Sequence, residues 1–94
     1  MDLIFEWDEA KADSNMRKHG VSFEEAQTVF GDPDSITIYD SEHSVDEDRF
    51  IVIGSSTYGG VLVVVYTERD ERIRIISCRQ ATPNERRQYE QPSD

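Results

Sequence analysis

The sequence predicts an α+β domain in which an antiparallel β-sheet carries an N-terminal helical hairpin and a C-terminal helix. Three observations predict it: two consecutive helix-capping patterns within residues 8–30, four strand-like segments separated by short turns within 35–79, and a third capping pattern that begins at Thr82. An antiparallel sheet with helices packed on it is typical of the α+β class. The expected order is β-α-α-β-β-β-β-α, in a single domain of residues 1–90 followed by a short tail at 91–94.

The first strand and the first helix are predicted from local signals. The segment 3–7, LIFEW, is short and rich in apolar and aromatic residues, as strands are. Asp8 is a good N-cap for a helix over 9–19, whose apolar face is narrow. Gly20 is expected to end this helix because glycine adopts the left-handed conformation without strain.

A second helix follows almost at once. Ser22 and Glu25 have the S-x-x-E spacing of a capping box, which predicts a helix over 22–30. The turn residues GDPD at 31–34 end it. Residues 17–26, RKHGVSFEEA, are therefore predicted to be a tight joint between two helices.

The second half of the chain is predicted to be mainly β. Four segments have the composition of strands: 35–40, 49–56, 61–68 and 72–79. The third of these is apolar on both parities, which predicts a central strand that is covered on both faces. The alternation of the fourth breaks near Ile75 and Ile76, which predicts a bulge. Thr82, Pro83 and Glu85 then supply the cap, the first-turn proline and the capping-box acid of a last helix over 83–90.

Charge is distributed unevenly along the chain. The net charge is −10, which argues against a nucleic-acid-binding protein. Residues 32–48 hold seven acidic residues and no lysine or arginine, whereas residues 49–87 hold seven arginines and four acidic residues. The ordinary interpretation of this pattern is solubility with surface salt bridges.

The sequence argues against a membrane-spanning protein, a secreted protein and a protein built around a disulfide or a metal cluster. The chain has no run of 18 apolar residues, and its first residues lack the features of a signal peptide. A single cysteine, Cys78, forms neither an internal disulfide nor a metal cluster, and its position in a strand predicts a buried residue. We expect a cytoplasmic protein that needs no metal and no cofactor.

The two histidines have different contexts. His19 lies in the last turn of the first helix, where the helix dipole stabilises positive charge, so a structural role is one interpretation. His43 lies in the acidic loop 41–48, where a solvated side chain is expected. Metal binding by His43 together with Asp40 and Asp46 is the alternative for this loop.

Arginines are the most informative polar residues. Arg72 and Arg74 share one face of a strand, Arg79 lies near its end, and Arg49 begins a strand next to the central one. The guanidinium group suits bidentate recognition of phosphate. The alternative is a solvated strand face, which composition alone does not reject.

Three segments of the chain resemble the BrnT family of small toxins from prokaryotic type II toxin–antitoxin systems. They are W-D-x-x-K-x-x-x-N-x-x-K-H-G-V-x-F from Trp7 to Phe23, R-I-I-S-x-R-x-A from Arg74 to Ala81, and E-R-x-x-Y ending at Tyr89. The resemblance implies a RelE-like ribonuclease fold, RNA cleavage without metal, and neutralisation by a BrnA-type antitoxin. That antitoxin would be a ribbon-helix-helix DNA-binding protein, so the toxin would reach operator DNA only through it, and no membrane is involved.

The mechanism that the resemblance implies is attack of an RNA 2′-OH on the adjacent phosphate. It needs a base, an acid and cations that stabilise the pentacoordinate phosphate. The side chains proposed for catalysis are Lys18, His19, Arg49, Arg74 and Arg79. Those proposed to contact RNA are Arg72 and Tyr66, and Tyr66 and Glu68 are further candidates for the base.

The chain departs from the family pattern at a few positions. Cys78 stands where the family commonly has Ala, and Gln80 stands where a basic residue is common. The acidic loop 41–48 is unfavourable for RNA because phosphate binding depends on positive surface. A non-catalytic binding module that keeps the fold and the antitoxin surface is therefore the alternative function, and an acidic mimic of a polyanion is a third.

Overall fold

The computed structural model describes residues 3–91, which form a five-stranded sheet and three α-helices. The strands are β1 (Ile4–Glu6), β2 (Ile36–Tyr39), β3 (Arg49–Ser55), β4 (Val61–Arg69) and β5 (Arg72–Gln80). The helices are α1 (Glu9–His19), α2 (Phe23–Thr28) and α3 (Pro83–Glu90), and a 3₁₀ turn over Val29–Gly31 follows α2. Residues 1–2 of the predicted domain and 92–94 of the predicted tail lie outside the described residues.

The sheet is mixed, so the prediction of an antiparallel sheet was wrong in one respect. The strand order is β1-β5-β4-β3-β2, and β1 runs parallel to β5, with Phe5 opposite Ile73. The other neighbouring strands are antiparallel. The apolar pattern of a three-residue strand identifies the strand but carries no information about a partner at the other end of the chain.

β4 is the central strand, as its apolar pattern predicted. Leu62 and Val64 are buried in a core with α1 and α2, whereas Val61 and Val63 are buried on the other face, against which α3 packs. The predicted bulge is confirmed at Ile76, which the register between β4 and β5 skips. Each face of the sheet therefore has its own apolar core, and α3 covers only part of the second face.

The joint between α1 and α2 forms as the capping residues predict. Asp8 accepts hydrogen bonds from the first backbone N–H groups of α1, and Gly20 ends that helix in the left-handed conformation, at φ 69°. The Ser22 hydroxyl caps α2 by accepting from the backbone N–H of Glu25. The other half of the predicted capping box does not form, because the Glu25 carboxylate accepts from the hydroxyl of Ser56 instead. The second helix is shorter than the predicted 22–30 because its last turn tightens into the 3₁₀ turn.

Asn15 fastens this joint to the sheet. It is the only buried residue of α1, with 5% of its surface exposed. Its amide nitrogen donates to the carbonyl oxygens of Cys78, at 2.8 Å, and of Val21, at 3.0 Å. Its amide oxygen accepts from the backbone N–H of Cys78 at 3.0 Å. One side chain therefore satisfies three backbone groups that would otherwise be buried without partners.

Cys78 is buried, as predicted, beside this asparagine. Burial raises the pKa of its thiol to about 11, so the sulfur is a neutral thiol at physiological pH. Its small side chain leaves room for α1 to approach β5.

α3 is attached to the sheet through its first turn and its last turn. Thr82 and Glu85 form the predicted capping box. The Glu85 carboxylate also binds the Arg79 guanidinium through two hydrogen bonds, of 2.7 and 2.8 Å. The hydrogen bonds from Arg79 are the main reason why the pKa of Glu85 falls to about 2.

At the other end of α3, the Tyr89 hydroxyl donates to the carboxylate of Asp32 and lies 3.0 Å from the hydroxyl of Ser55. The same carboxylate accepts from the backbone N–H of Ser55. These contacts fix α3 across β3, and they account for the tyrosine of the E-R-x-x-Y segment as a structural residue.

Replacing Asn15 with leucine should be strongly destabilising. The change keeps the branched shape and the number of side-chain heavy atoms but leaves the three backbone groups buried and unpaired, and each such group costs about 1–3 kcal/mol. We expect the free energy of unfolding, measured by urea denaturation, to fall by about 3 kcal/mol or more. The control is Asp13→Leu on the exposed side of α1, which should change it by less than about 0.5 kcal/mol. A loss of under about 1 kcal/mol in Asn15→Leu would contradict the role of this residue.

The Arg79–Glu85 pair should make stability depend on acid pH. Because the pKa of Glu85 is lower in the folded protein than in the unfolded chain, its contribution is complete above about 4.5 and is lost as pH falls towards about 2. Glu85→Gln should therefore flatten the pH dependence of the urea midpoint in that range. Glu90→Gln, in the same helix, serves as the control. If both variants follow the wild-type curve, the ion pair does not stabilise the fold.

Candidate functional site

Arginines gather on the part of the sheet that α3 leaves open. Their side chains alternate with core residues such as Phe50 and Ile73, which pack with α1 and α2, so they project from the opposite face. We call this surface the arginine face, and it carries Arg49, Arg69, Arg72 and Arg74.

A straight row of residues crosses the arginine face. Arg49 of β3 is opposite Thr67 of β4, which is opposite Arg74 of β5, which is opposite Glu6 of β1. Two strand spacings separate the backbones of Arg49 and Arg74, about 10 Å. Thr67 between them is buried, and its hydroxyl donates to the carbonyl of Asp48. The two arginines are therefore at positions of the row that flank a short, uncharged residue.

Two glutamates partly neutralise the arginines. Glu6 lies 3.1 Å from Arg74 and 3.6 Å from Arg72. Glu47 binds the Arg69 guanidinium through two hydrogen bonds, at 2.9 and 3.1 Å, which are the main reason why the pKa of Glu47 is lowered. The face thus carries four positive and two negative side chains and remains positive in a protein whose net charge is −10.

Arg49 differs from the other three arginines. Within residues 3–91 its guanidinium has no hydrogen bond and no ion pair, and its charge is among those that lower the pKa of Glu47. It is therefore the arginine of this face that is best able to accept an incoming anion without losing an existing contact.

Arg79 projects from the same side of the sheet, but at the α3 end. Both terminal nitrogens of its guanidinium donate to the Glu85 carboxylate, so the bidentate binding position of this group is already used by a carboxylate. The position of this arginine is explained by the attachment of α3.

The other predicted site residues lie elsewhere. Lys18 and His19 are exposed in the last turn of α1, which packs on the face opposite the arginines. Tyr66 is 6% exposed and packs between Phe30 and Phe50, on the helical side. Glu68 is exposed and lies on the same face of β4 as Tyr66, two residues further along the strand. The structure does not bring these four residues to the arginine face.

A loop borders the arginine face where β2 passes into β3. Ser44 holds the two ends of this loop together. Its hydroxyl donates to the carbonyl of Asp40 at 2.6 Å and accepts from the backbone N–H of Arg49 at 2.9 Å. The imidazole Nδ1 of His43 lies 2.9 Å from one carboxylate oxygen of Asp40 and 3.1 Å from the other. Nδ1 carries the proton in this contact, because the carboxylate only accepts.

The loop also forms a pocket. It has a volume of about 290 Å³, and its lining consists of Glu42, His43, Val45, Asp46, Glu47 and Arg49. The sequence indicates an acidic loop but not that the loop folds back beside an arginine. The one available signal was the Asp40-x-x-His43 spacing, which permits a contact within a turn.

Metal binding by this loop was the alternative suggested by the sequence. Within residues 3–91, no three His, Cys, Asp or Glu side chains are arranged to hold a metal ion, so the proposed set of Asp40, His43 and Asp46 does not assemble.

In the same part of the chain, no helix is long and apolar enough to span a bilayer.

Comparisons with known proteins identify a family and a fold. The family described as "Ribonuclease toxin, BrnT, of type II toxin-antitoxin system" matches residues 7–85. The crystal structure of the Brucella abortus ribonuclease toxin BrnT superposes with a TM-score of 0.67 at 20% sequence identity, covering 86% of this chain and 99% of that one. At this identity the likeness shows a shared fold. The comparison with curated proteins gave no match.

The family match spans most of the chain, from the tryptophan that precedes α1 to the glutamate that anchors α3. It includes both the asparagine that fastens the helical joint and every arginine of the open face. The chain belongs to the BrnT family of ribonuclease toxins of type II toxin–antitoxin systems.

Proposed function

We propose that this toxin cleaves RNA on the arginine face, by attack of a 2′-OH on the adjacent phosphate. The observation that carries the proposal is the row in which Arg49 and Arg74 flank Thr67. Phosphoryl transfer to a 2′-oxygen builds negative charge on the phosphate oxygens in the transition state. Guanidinium groups held on a rigid sheet stabilise that charge without first having to reorganise.

The existing ion pairs of this face do not prevent RNA from binding. The side chain of Arg72 is 56% exposed and that of Arg69 is 51% exposed, and ion pairs at such positions contribute only about 0–1 kcal/mol. A phosphate that approaches Arg72 or Arg74 competes with one shared carboxylate, that of Glu6. Contacts with phosphate position RNA without reading its sequence.

The proposed reaction proceeds without a metal ion because the arginines supply the positive charge. In this arrangement Arg49 and Arg74 hold the reacting phosphate and Arg72 holds a neighbouring one. Arg79 acts through α3. Direct roles of Lys18 and His19 in cleavage stay predictions, and they require RNA that reaches around the edge of the sheet.

The partner we propose is a BrnA-type antitoxin of the ribbon-helix-helix class, and it would cover the arginine face. The membership in a type II toxin family supports an antitoxin, since free ribonuclease damages the cell that makes it. The positive surface with two partly exposed glutamates suits acidic and apolar groups. The toxin would contact operator DNA only through this partner, in the cytoplasm, as a single domain of residues 1–90 with a short tail.

Arg49→Lys should lower the cleavage rate while leaving the protein folded. Lysine keeps the charge but loses the fork that binds two phosphate oxygens, and lost transition-state hydrogen bonds of this kind cost on the order of a hundredfold in rate. The measurement is single-turnover cleavage of an RNA oligonucleotide, in EDTA and in Mg²⁺, which should give equal wild-type rates. The control is Arg86→Lys on the exposed side of α3.

Two results would count against the proposed cleavage. An Arg49→Lys variant as fast as the wild type would remove the arginine face from the reaction. A purified wild-type toxin that binds antitoxin but leaves RNA intact would instead identify a non-catalytic binding module.

Arg72→Glu should weaken the complex with the antitoxin. The change reverses an exposed charge at the edge of the arginine face and places a third carboxylate near Glu6 and Glu47. We expect the dissociation constant to rise at least tenfold at low salt, about 1.4 kcal/mol, and less at high salt because exposed charges are screened. Arg86→Glu is the matched control. If both reversals leave the affinity of the wild type, the antitoxin docks elsewhere.

A further inference from the structure

The loop from Asp40 to Asp48 is held in one arrangement by its own polar side chains. Besides the contacts of Ser44, Asp48 accepts a hydrogen bond from the hydroxyl of Tyr39 on its side chain and one from Thr67 on its carbonyl. Glu47 is fixed by Arg69. The loop is therefore tied to β2, β3 and β4, and the residues it carries are positioned relative to the arginine face.

His43 has the geometry of a proton-transfer group within this loop. The Asp40 side chain is only 14% exposed and its carboxylate contacts Nδ1 of the ring, while the His43 side chain is 62% exposed. With its proton on Nδ1, the ring presents Nε2 as a free acceptor, and no hydrogen bond to Nε2 forms within residues 3–91. A carboxylate that orients an imidazole in this way also stabilises the imidazolium that forms when the ring takes a proton.

The same pocket brings His43 and Arg49 together. Both line the cavity of about 290 Å³, and Arg49 is the arginine of the arginine face whose guanidinium makes no hydrogen bond or ion pair within residues 3–91. A histidine that accepts a proton beside a guanidinium that binds phosphate supplies two of the groups that 2′-OH attack requires. His19, the other histidine of the chain, lies on the helical side of the sheet.

Acidic side chains also face this pocket, and their effect has two parts. Glu42 and Asp46 are exposed, and their negative charges repel a phosphate that approaches the loop. The charge of Glu47 is balanced by Arg69. The Asp40 carboxylate, by contrast, contacts the His43 ring at 2.9 Å and orients it.

We propose that His43, oriented by Asp40, is the catalytic base of the RNA cleavage described above, and this proposal rests on that function. Nε2 takes the proton of the 2′-OH, and the 2′-oxygen forms a bond to phosphorus. The bond from phosphorus to the 5′-oxygen breaks, and its electron pair leaves with that oxygen, which takes a proton from water. The resulting hydroxide recovers the proton from His43. The products are a 2′,3′-cyclic phosphate and a 5′-hydroxyl, and Asp40 is a positioning residue.

The test compares His43→Ala, Asp40→Asn and the control Arg86→Ala, on the exposed side of α3, as purified toxins. Single-turnover cleavage of an RNA oligonucleotide is measured from pH 5 to pH 9, and binding is measured with the 2′-deoxy analogue of the cleaved nucleotide. His43→Ala should cleave at least about a hundredfold more slowly and lose the rise in rate with pH that a titrating base produces. Its affinity for the analogue should stay within about threefold of the wild type, since Arg49 supplies the phosphate contact.

Two further results are expected. Imidazole in the buffer should restore part of the rate of His43→Ala, because the vacated site is open to solvent, and it should not accelerate the wild type. Asp40→Asn should reduce the rate by less than His43→Ala does and change the pH profile, whereas Arg86→Ala should match the wild type in both rate and profile.

The outcomes separate this proposal from the function on which it rests. If the wild type cleaves and His43→Ala has the same rate and the same pH profile, His43 is not the base, and the arginine face keeps its assigned function. Loss of analogue binding equal to the loss of rate would also overturn the proposal, since it would make His43 a binding residue. A wild type that leaves RNA intact would overturn the proposed function itself.

Discussion

The side chain of Asn15 is the contact on which the arrangement of this fold depends. It joins the end of α1, the start of α2 and the strand β5 through hydrogen bonds to backbone groups of Val21 and Cys78. An asparagine is suited to this place because its amide offers a donor and an acceptor to a strand edge at the same time. With α1 and α2 fixed on one side, the other side of β5 is free to carry the arginines.

The two faces of the sheet thus have different surroundings. One is covered by an apolar core and two helices, and the other is divided between α3 and the arginine face. The acidic residues of the chain do not contradict a nucleic-acid role once they are placed. Glu6 and Glu47 form ion pairs with Arg74 and Arg69, and Glu85 attaches α3 to the sheet through its ion pair with Arg79. Net charge alone therefore describes this protein poorly, because binding depends on the local surface.

Local signals were enough to predict the helical joint, the capping of α3 and the central position of β4, because each depends on neighbouring residues or on one strand's own pattern. The parallel pairing of β1 depends on a contact between distant segments, so it was not predictable. The same limit applies to the site: Arg49 and Arg74 were identified from their residue type, but Tyr66 points into the core and Arg79 is engaged by Glu85. The RelE-like description stays a prediction.

The central claim is that RNA binds the face of the sheet opposite α1 and α2. It is tested most directly by NMR titration of the labelled toxin with a 2′-deoxy analogue that cannot be cleaved, following backbone amides and arginine side chains. We expect chemical-shift changes at Arg49, Thr67 and Arg74 and in the loop between β2 and β3, with little change at Lys18 and His19. Shifts concentrated at the end of α1, with the arginine face unchanged, would contradict it.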